Sequence, residues 1–169
     1  PGLRLNAKPD YLQLKWSEDQ ASEWGRMVER QWDAWANVPL ECDAAGRATI
    51  GQLTAQAFRG WFGYGEILGT IESIRRPGTR HRTKLQLLDP VSLPRTFTRM
   101  DARDSVITDA YGAPQSYIFK VRDANGWRET DRVVAARTRT GRPLVVHVYD
   151  GAPGQRRGIP PLVPVLHVV

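Results

Sequence analysis

The chain has 169 residues, of which 41% are hydrophobic, so it is long enough for about one globular domain with a substantial core. The single cysteine, Cys42, excludes an internal disulfide framework and a Cys/His zinc site, and no run approaches the ~20 apolar residues of a membrane-spanning helix. The net charge of +6 is uneven: residues 1–43 hold 5 Lys/Arg against 8 Asp/Glu, and the remainder holds 19 against 10. Basic character therefore belongs to the later part of the chain.

The first helix is predicted from a capping signal followed by an apolar stripe. Residues 1–16 alternate weakly and are expected to form an extended arm or short strand. Ser17–Gln20 has the form of a capping box, which predicts a helix to about Asn37. An aromatic row of this kind can also stack single-stranded bases, but the acidic residues around it disfavour phosphate. We expect the stripe to be core, and it consists of Trp24, Met27, Val28, Trp32 and Trp35.

A second helix is predicted after a turn at Asp43–Gly46. Thr49–Gln52 repeats the capping-box pattern, and apolar residues recur at helical spacing as far as Phe62. Glycines 60, 63 and 65 are then expected to end this helix and lead into a strand.

From Gly65 onward the hydrophobic period shifts towards two, which indicates strands. Tight turns are predicted at Tyr111–Pro114 and Asp123–Gly126. The later part of the chain is thus expected to form a mainly antiparallel sheet. Its candidate strands are Glu66–Ile74, Thr83–Leu88, Val106–Ala110, Ser116–Arg122, Val133–Arg137 and Leu144–Tyr149.

The densest cluster of charge lies at the tip of a predicted hairpin. Such a cluster can clamp phosphates with salt-dependent, sequence-independent affinity. It can equally be a solvated loop, or pair with acidic residues of a neighbouring subunit such as Glu23, Glu29 or Asp33. The candidate interface or phosphate-contacting residues are Arg75, Arg76, Arg80, Arg82 and Lys84.

No enzymatic signature stands out. The sequence has no Gly-x-Ser-x-Gly elbow and no phosphate-binding Gly-Lys-Ser/Thr loop, and its histidines lack metal-ligand spacing. Four carboxylates on predicted strands are able in principle to gather around Mg²⁺ as in nucleases, although scattered carboxylates are usually surface residues. They are Glu66, Glu72, Asp89 and Asp109, and Asp89 is also suited to an Asx-type turn before Pro90. We expect no enzyme, no metal and no cofactor.

A glycine-hinged loop follows the last predicted strand. It precedes Ile159–Val163, where two prolines favour the first turn of an outgoing helix. We hypothesise that Arg157 bonds carbonyls at the end of the preceding strand and fixes the angle to that helix. The residues of this structural loop motif are Pro153, Gly154, Gln155, Arg157 and Gly158.

The order of these pieces resembles the lambda-type family of tailed-phage portal proteins, and the likeness covers nearly the whole chain. Pro-Gly-Gln-x-Arg-Gly is similar to the best-marked loop of the family. The other pieces that carry the resemblance are the Trp-rich helix, Asp43–Gly46, Gly65-Glu66, Leu87–Pro90, the Gly112 hairpin and Gly141–Leu144.

The resemblance implies an α+β fold in which two N-terminal helices pack on a mainly antiparallel sheet, as in the wing-type region of a portal protein. We expect 1–169 to be a single domain cut from a longer chain, because it starts without Met and family members are several times longer. Its parts would be a mainly helical 1–64, a β-rich 65–150, and a loop into an outgoing helix at 151–169.

The implied function is structural. Portal subunits form a ring, typically a dodecamer, at one capsid vertex, where they conduct double-stranded viral DNA. Expected partners are other copies of the chain, DNA, the terminase large subunit, and capsid, head-completion and tail proteins, but no membrane. The expected location is the virion, with the host cytoplasm during assembly. The alternatives left open are a basic prophage nucleic-acid-binding module and, with less support, a metal-dependent nuclease.

Overall fold

A computed structural model describes residues 3–95, 98–99, 102–122 and 129–163. The chain divides into two compact units, each considered by itself below. The first contains Pro1–Thr54 and Ser73–Lys84, and the second contains Ala55–Glu72 and Leu85–Val169. The expectation of a single domain over 1–169 stays a prediction, as does the packing of the helices on a sheet. The predicted turn at Asp123–Gly126 lies outside the described residues.

Helices gather early in the chain and strands follow, so the predicted α+β class is confirmed. A 3-10 turn covers Pro90–Ser92. Among the helices that the structure describes, none combines the length and apolar character that crossing a membrane requires. The helices are α1 Tyr11–Leu14, α2 Glu18–Ala36, α3 Pro39–Cys42 and α4 Ile50–Tyr64; the strands are β1 Glu66–Ser73, β2 Thr83–Leu88, β3 Thr98–Arg99, β4 Ala102–Arg103, β5 Val106–Thr108, β6 Pro114–Arg122, β7 Glu129–Ala135 and β8 Val145–Tyr149.

Both predicted capping boxes form. The hydroxyl of Ser17 accepts from the backbone N–H of Gln20 at 3.2 Å, and the Gln20 side chain accepts from the Ser17 N–H at 2.9 Å. Thr49 and Gln52 make the same reciprocal pair at 3.3 and 2.9 Å. Each box satisfies N–H groups that a helix start otherwise leaves unpaired.

The prediction of an extended arm over 1–16 is wrong at α1. The side chain of Asp10 caps this one-turn helix by accepting from the Gln13 N–H, and Lys15 ends it with a left-handed φ of 55°. An aspartate at an N-cap satisfies a helical N–H directly, which here outweighs the weak alternation of the apolar residues.

The prediction that the tryptophan stripe of α2 is core holds only in part, because Val28, Trp32 and Trp35 are half-buried whereas Trp24 and Met27 are exposed. Trp24 is 39% exposed and Met27 is 46% exposed, while the buried α2 residues are Ala21, Gly25 and Ala36. The N-terminal arm lies against this small-residue face: a Cβ on Gly25 would stand 2.6 Å from the carbonyl oxygen of Ala7. The Ala7 N–H also donates to Glu29 at 3.0 Å. Close approach of the arm thus selects small residues for the buried face.

The strands, which belong to the second unit except for Ser73, Thr83 and Lys84, form two sheets, one ordered β2-β1-β8 and the other β3-β4-β5-β6-β7. β1 pairs antiparallel with β8, and β3 to β7 pair antiparallel in succession. The predicted hairpin turn between β5 and β6 is present: the carboxylate of Asp109 accepts from the N–H groups of Tyr111 and Ala113, and Gly112 has a φ of +89°. The predicted antiparallel character is therefore confirmed for these pairs.

The main hydrophobic cluster of the second unit draws on both sheets. Large buried side chains of this kind each contribute roughly 1.5–3 kcal/mol to folding relative to exposure. The cluster supports the strands at whose ends the candidate site lies. It contains Leu68 and Val145 from one sheet, Val106, Tyr117 and Phe119 from the other, and Leu93 and Ala136 from connecting segments.

The end of α4 differs from the prediction. The helix runs through Gly60 and Gly63, and only Gly65 leaves it, with a φ of +81°. A Cβ on Gly65 would stand 2.2 Å from the carbonyl carbon of Ile159. Both the positive φ and the close backbone therefore require glycine at 65.

Replacing Gly65 by alanine should lower the melting temperature, because the positive φ alone costs about 1–3 kcal/mol and the clash with Ile159 adds to it. Gly60→Ala is a matched control, since nothing lies within 4 Å of its Cβ and alanine favours a helix by about 0.5–1 kcal/mol. Thermal unfolding followed by circular dichroism checks both variants. Equal melting temperatures for the two would contradict the packing described.

Candidate functional site

A buried ion pair joins the start of β1 to the loop after β8. Glu66 is 1% exposed and Arg157 is 3% exposed. The Arg157 Nε donates to the two carboxylate oxygens of Glu66 at 3.1 and 2.9 Å, and Nη2 donates to Oε1. This side-on arrangement is the bidentate geometry in which a guanidinium binds a carboxylate most strongly.

The remaining donors of Arg157 reach the carbonyls of two further segments. Nη1 donates to Leu93 and, at 3.3 Å, to Asp104; Nη2 donates to Pro90 at 3.2 Å. All five guanidinium N–H groups thus have acceptors, as a buried arginine requires. The carbonyls come from 90–93 and 104, not from the end of β8 as hypothesised. These acceptors lie before β3 and between β4 and β5, so the arginine reaches across the unit instead.

Glu66 has further donors besides Arg157. The backbone N–H of Gly158 donates to Oε2 at 3.1 Å, and His147 Nε2 lies 3.2 Å from the same oxygen. The His147 side chain is 3% exposed, with its ring 4.8 Å from that of Tyr149. Arg95 stands 3.7 Å from Oε1 and donates to the Gly158 carbonyl at 2.7 Å. We call Glu66, Arg157, His147 and Gly158 the ionic junction.

The junction keeps Glu66 ionised. Burial by itself raises the pKa of this carboxyl, but hydrogen bonds from Arg157 and His147, the charge of Arg157 and the Gly158 N–H together lower it to about 2. At neutral pH the site therefore holds a desolvated anion whose charge is fully compensated.

The other residues of the loop motif shape the backbone around the junction. The Tyr149 hydroxyl donates to the carbonyl of Gln155 at 2.9 Å, and the Gln155 side chain accepts from Ala152 at 3.1 Å and donates to the Arg157 carbonyl. Gly154 has a φ of +82°, as its place in the Pro153-Gly154 turn requires. Hydrogen bonds from β8 and from within the loop thus hold the loop backbone in place.

Gly158 is needed for close approach. A Cβ there would stand 1.9 Å from the carbonyl oxygen of Gly65, so the loop backbone lies directly on the start of β1. Beyond it, the N–H of Val163 donates to Pro160 at 3.0 Å in a turn. Most of the predicted outgoing helix, residues 164–169, lies outside the described residues.

A second charged cluster, in the first unit, supports the basic loop 75–82. The carboxylate of Glu41 accepts from the backbone N–H groups of Arg80 and His81 at 2.8 Å each. These backbone bonds lower the pKa of Glu41 to about 2. Arg76 donates to the carbonyl of Ala44. The base of the loop is therefore fixed to the segment around α3.

The structure corrects the placement of Lys84 among surface cations. Its side chain is fully buried, and the ammonium donates to the carbonyls of Leu40, Glu41 and His81 at 2.7, 2.9 and 2.8 Å. Three carbonyls use all three donors of an ammonium group, so Lys84 has none left for a phosphate or a neighbour.

Arg75, Arg80 and Arg82 are exposed on the same loop, whereas Arg76 is half-buried. Within the described parts of the chain, no hydrogen bond or ion pair occupies the three exposed guanidinium groups. Of the five candidate cations, three thus remain available at the surface.

The four carboxylates considered for Mg²⁺ are not brought together. Glu66 belongs to the ionic junction, and Asp109 binds the turn N–H groups. Asp89 accepts from the Val91 N–H at 3.0 Å, which confirms the predicted Asx-type turn. In the ranges that the structure describes, no group of three His, Cys, Asp or Glu side chains has metal-binding geometry.

Sequence reasoning missed the roles of Glu41 and His147 in these clusters. Glu41 lies in a four-residue helix too short to show periodicity, and its partners are 39 and 40 residues away. The histidines lack metal-ligand spacing, so nothing in the sequence singles out His147. Its place opposite Leu68 in β1 follows only from the β1–β8 register, which the sequence does not give.

Arg157→Ala is expected to destabilise the chain by about 3–5 kcal/mol, because it leaves the Glu66 carboxylate buried without a counter-charge. Arg157→Lys should recover only part of the loss, since an ammonium cannot reproduce the bidentate fork. Urea unfolding measures both, with the exposed Arg142→Ala as the control. Unchanged stability and unchanged soluble assembly in Arg157→Ala would refute the role assigned to the junction.

Acid should weaken the fold through Glu66. Because its pKa is lowered from 4.5 to about 2, its contribution to stability is fully present above about pH 4.5 and is lost as pH falls towards 2. Glu41 adds a decline in the same window. We therefore expect the free energy of unfolding to fall less steeply from pH 4.5 to 2 in Glu66→Gln than in the wild type. Parallel pH profiles from urea titrations would contradict this.

The comparison with known families supports the resemblance that the order of the sequence motifs indicates. The family described as phage portal protein, lambda family, matches residues 1–169, which is the whole chain. No curated protein matches the chain in a separate comparison. The matched range includes Gly65 and Gly158, which allow the loop backbone to lie directly on the start of β1, and Glu66 and Arg157, which form the buried ion pair. The chain therefore belongs to the lambda family of phage portal proteins.

Proposed function

We propose that this chain is the wing-type region of a portal subunit, and that copies of the subunit form a dodecameric ring at one capsid vertex. The ring conducts double-stranded DNA during packaging and ejection, and receives the terminase large subunit and the head-completion and tail proteins. The observation that carries the proposal is the match of the lambda portal family to the whole chain. In this role the chain acts as a structural element of the virion, assembled in the host cytoplasm.

The ionic junction supports a mechanical role. It connects β1, β8, the 90–93 segment and residue 104 to the 153–158 loop through one guanidinium group and one carboxylate. Because the interior is close-packed and every buried donor of Arg157 is used, these segments move together rather than separately. A subunit that must keep its shape while DNA is driven past it benefits from such a connection.

The basic loop offers this ring a contact surface. Arg75, Arg80 and Arg82 are exposed, and the loop backbone is fixed by Glu41, which accepts from the N–H groups of residues 80 and 81, and by Lys84, which donates to the carbonyl of residue 81. Such a surface suits either an acidic face of a neighbouring subunit or the phosphates of DNA.

A nucleic-acid-binding module is the second candidate, and the three exposed arginines are the observation in its favour. Its case is weakened because Arg76 and Lys84, two of the five predicted cations, bind carbonyls of the chain itself. The nuclease alternative has less support, since Glu66, Asp89 and Asp109 already serve as hydrogen-bond acceptors within the fold.

The mass in solution of the full-length protein that contains this chain tests the proposal first. Light scattering should give a mass close to twelve subunits, and negative-stain images should show a ring with a central channel. Only the portal function requires this assembly, so the result separates it from both alternatives.

A monodisperse monomer or dimer over a wide concentration range would contradict the proposed function. If that species also binds short duplex DNA with steep salt dependence, the nucleic-acid-binding module is favoured. Cleavage of DNA that requires Mg²⁺ would favour the nuclease instead.

A further inference from the structure

An open aromatic groove lies beside the first half of α2, in the first unit. Trp16 and Trp24 meet edge to face, with ring centroids 6.1 Å apart, and Trp24 and Met27 are substantially exposed. Large aromatic side chains are costly to leave in water and are frequent anchors of protein interfaces. The groove has a volume of about 380 Å³ and is lined by Trp16, Gln20, Glu23, Trp24, Met27 and Arg30.

The groove has the chemistry of an arginine receptor. A guanidinium group stacks on indole rings and pairs with a carboxylate, and here two indoles stand beside the exposed Glu23. The positive charge of Arg30 on the rim repels a cation, but the net negative charge of α2 attracts one. α2 carries five acidic residues against two arginines. A positively charged occupant is therefore favoured over a nucleic acid, whose phosphates the same helix repels.

The basic loop of the same chain presents the matching groups. Arg75, Arg80 and Arg82 are exposed, and none of their guanidinium groups has a partner within the described residues. The backbone N–H groups of Arg80 and His81 are held by Glu41, so little backbone order has to be created when a partner binds.

The two surfaces lie at different places on the first unit. The Nε1 of Trp35, near the end of α2, donates to the Thr83 carbonyl at the base of the loop. Trp24 is eleven residues earlier, or about 16 Å along the helix at 1.5 Å per residue. No described bond joins the loop arginines to the groove within one chain. Two distinct complementary patches are what a head-to-tail contact between copies requires.

We infer that the groove formed by Trp16, Glu23, Trp24 and Met27 receives the exposed arginines of the 75–82 loop from the adjacent copy of the chain. The inference rests on the ring proposed above and assigns one of its subunit contacts. In the contact, a loop guanidinium lies against the indoles and pairs with Glu23, and the remaining arginines face the acidic side of α2.

Charge exchange in the full-length protein tests this contact. Arg80→Glu/Arg82→Glu should raise the subunit concentration at half-assembly by about tenfold or more, and adding Glu23→Arg should recover most of the loss. Trp24→Ala should also weaken assembly, with only a small fall in the melting temperature of the isolated subunit from the lost edge-to-face contact with Trp16. Arg59→Glu, an exposed reversal on α4, is the matched control and should assemble like the wild type. Sedimentation velocity over a range of protein concentrations gives the half-assembly values.

Three outcomes would overturn the inference. The first is assembly of the loop and Trp24 variants at wild-type concentrations. The second is normal assembly of the loop variant with loss of salt-dependent binding to a short DNA duplex, which would assign the arginines to phosphate. The third is the absence of rescue by Glu23→Arg when the wild type forms rings. A wild type that forms no ring at all would instead refute the proposed function, and this contact with it.

Discussion

The second unit depends on one buried ion pair. Arg157 and Glu66 are separated by 91 residues in sequence, and their contact draws in the carbonyls of Pro90, Leu93 and Asp104. A buried pair of charges is costly to desolvate, and it is tolerated here because every donor and acceptor is satisfied. The two glycines at 65 and 158 permit this, since any side chain at either position would hold the loop away from the strand. The close contact between the loop and β1 and the geometry of the ion pair therefore depend on each other.

Local signals in the sequence predicted most of the secondary structure, because their physical causes are local. Capping boxes begin α2 and α4, and β2 has the predicted bounds. The assignment of the α2 stripe to the interior held only in part, because Trp24 and Met27 are exposed. The tryptophan stripe has helical spacing, yet α2 buries Ala21 and Gly25 against the arm. Periodicity identifies one apolar face, but only the tertiary packing decides whether a helix buries it or a face of small residues.

The candidate site was predicted in part. Arg157 was correctly expected to bond carbonyls, but its acceptors belong to segments 53 to 67 residues distant, which no local pattern reveals. The basic loop was recognised from charge density, but Lys84, at the start of β2 just after the loop, turns inward to three carbonyls. Charge density alone does not distinguish a cation that binds a partner from one that stabilises the fold. The difference depends on which acceptor groups surround the side chain in the folded protein.

The long sequence separation within the ionic junction has a consequence for biosynthesis. Ribosomes add about 5–20 residues per second, so Glu66 waits several seconds before Arg157 has been made. Until then its carboxylate is hydrated, β8 is missing from its sheet, and the edge of β1 is open. The nascent second unit can therefore complete its fold only after the 153–158 loop has been synthesised. Until then its open strand edge is a site at which chaperones can prevent aggregation.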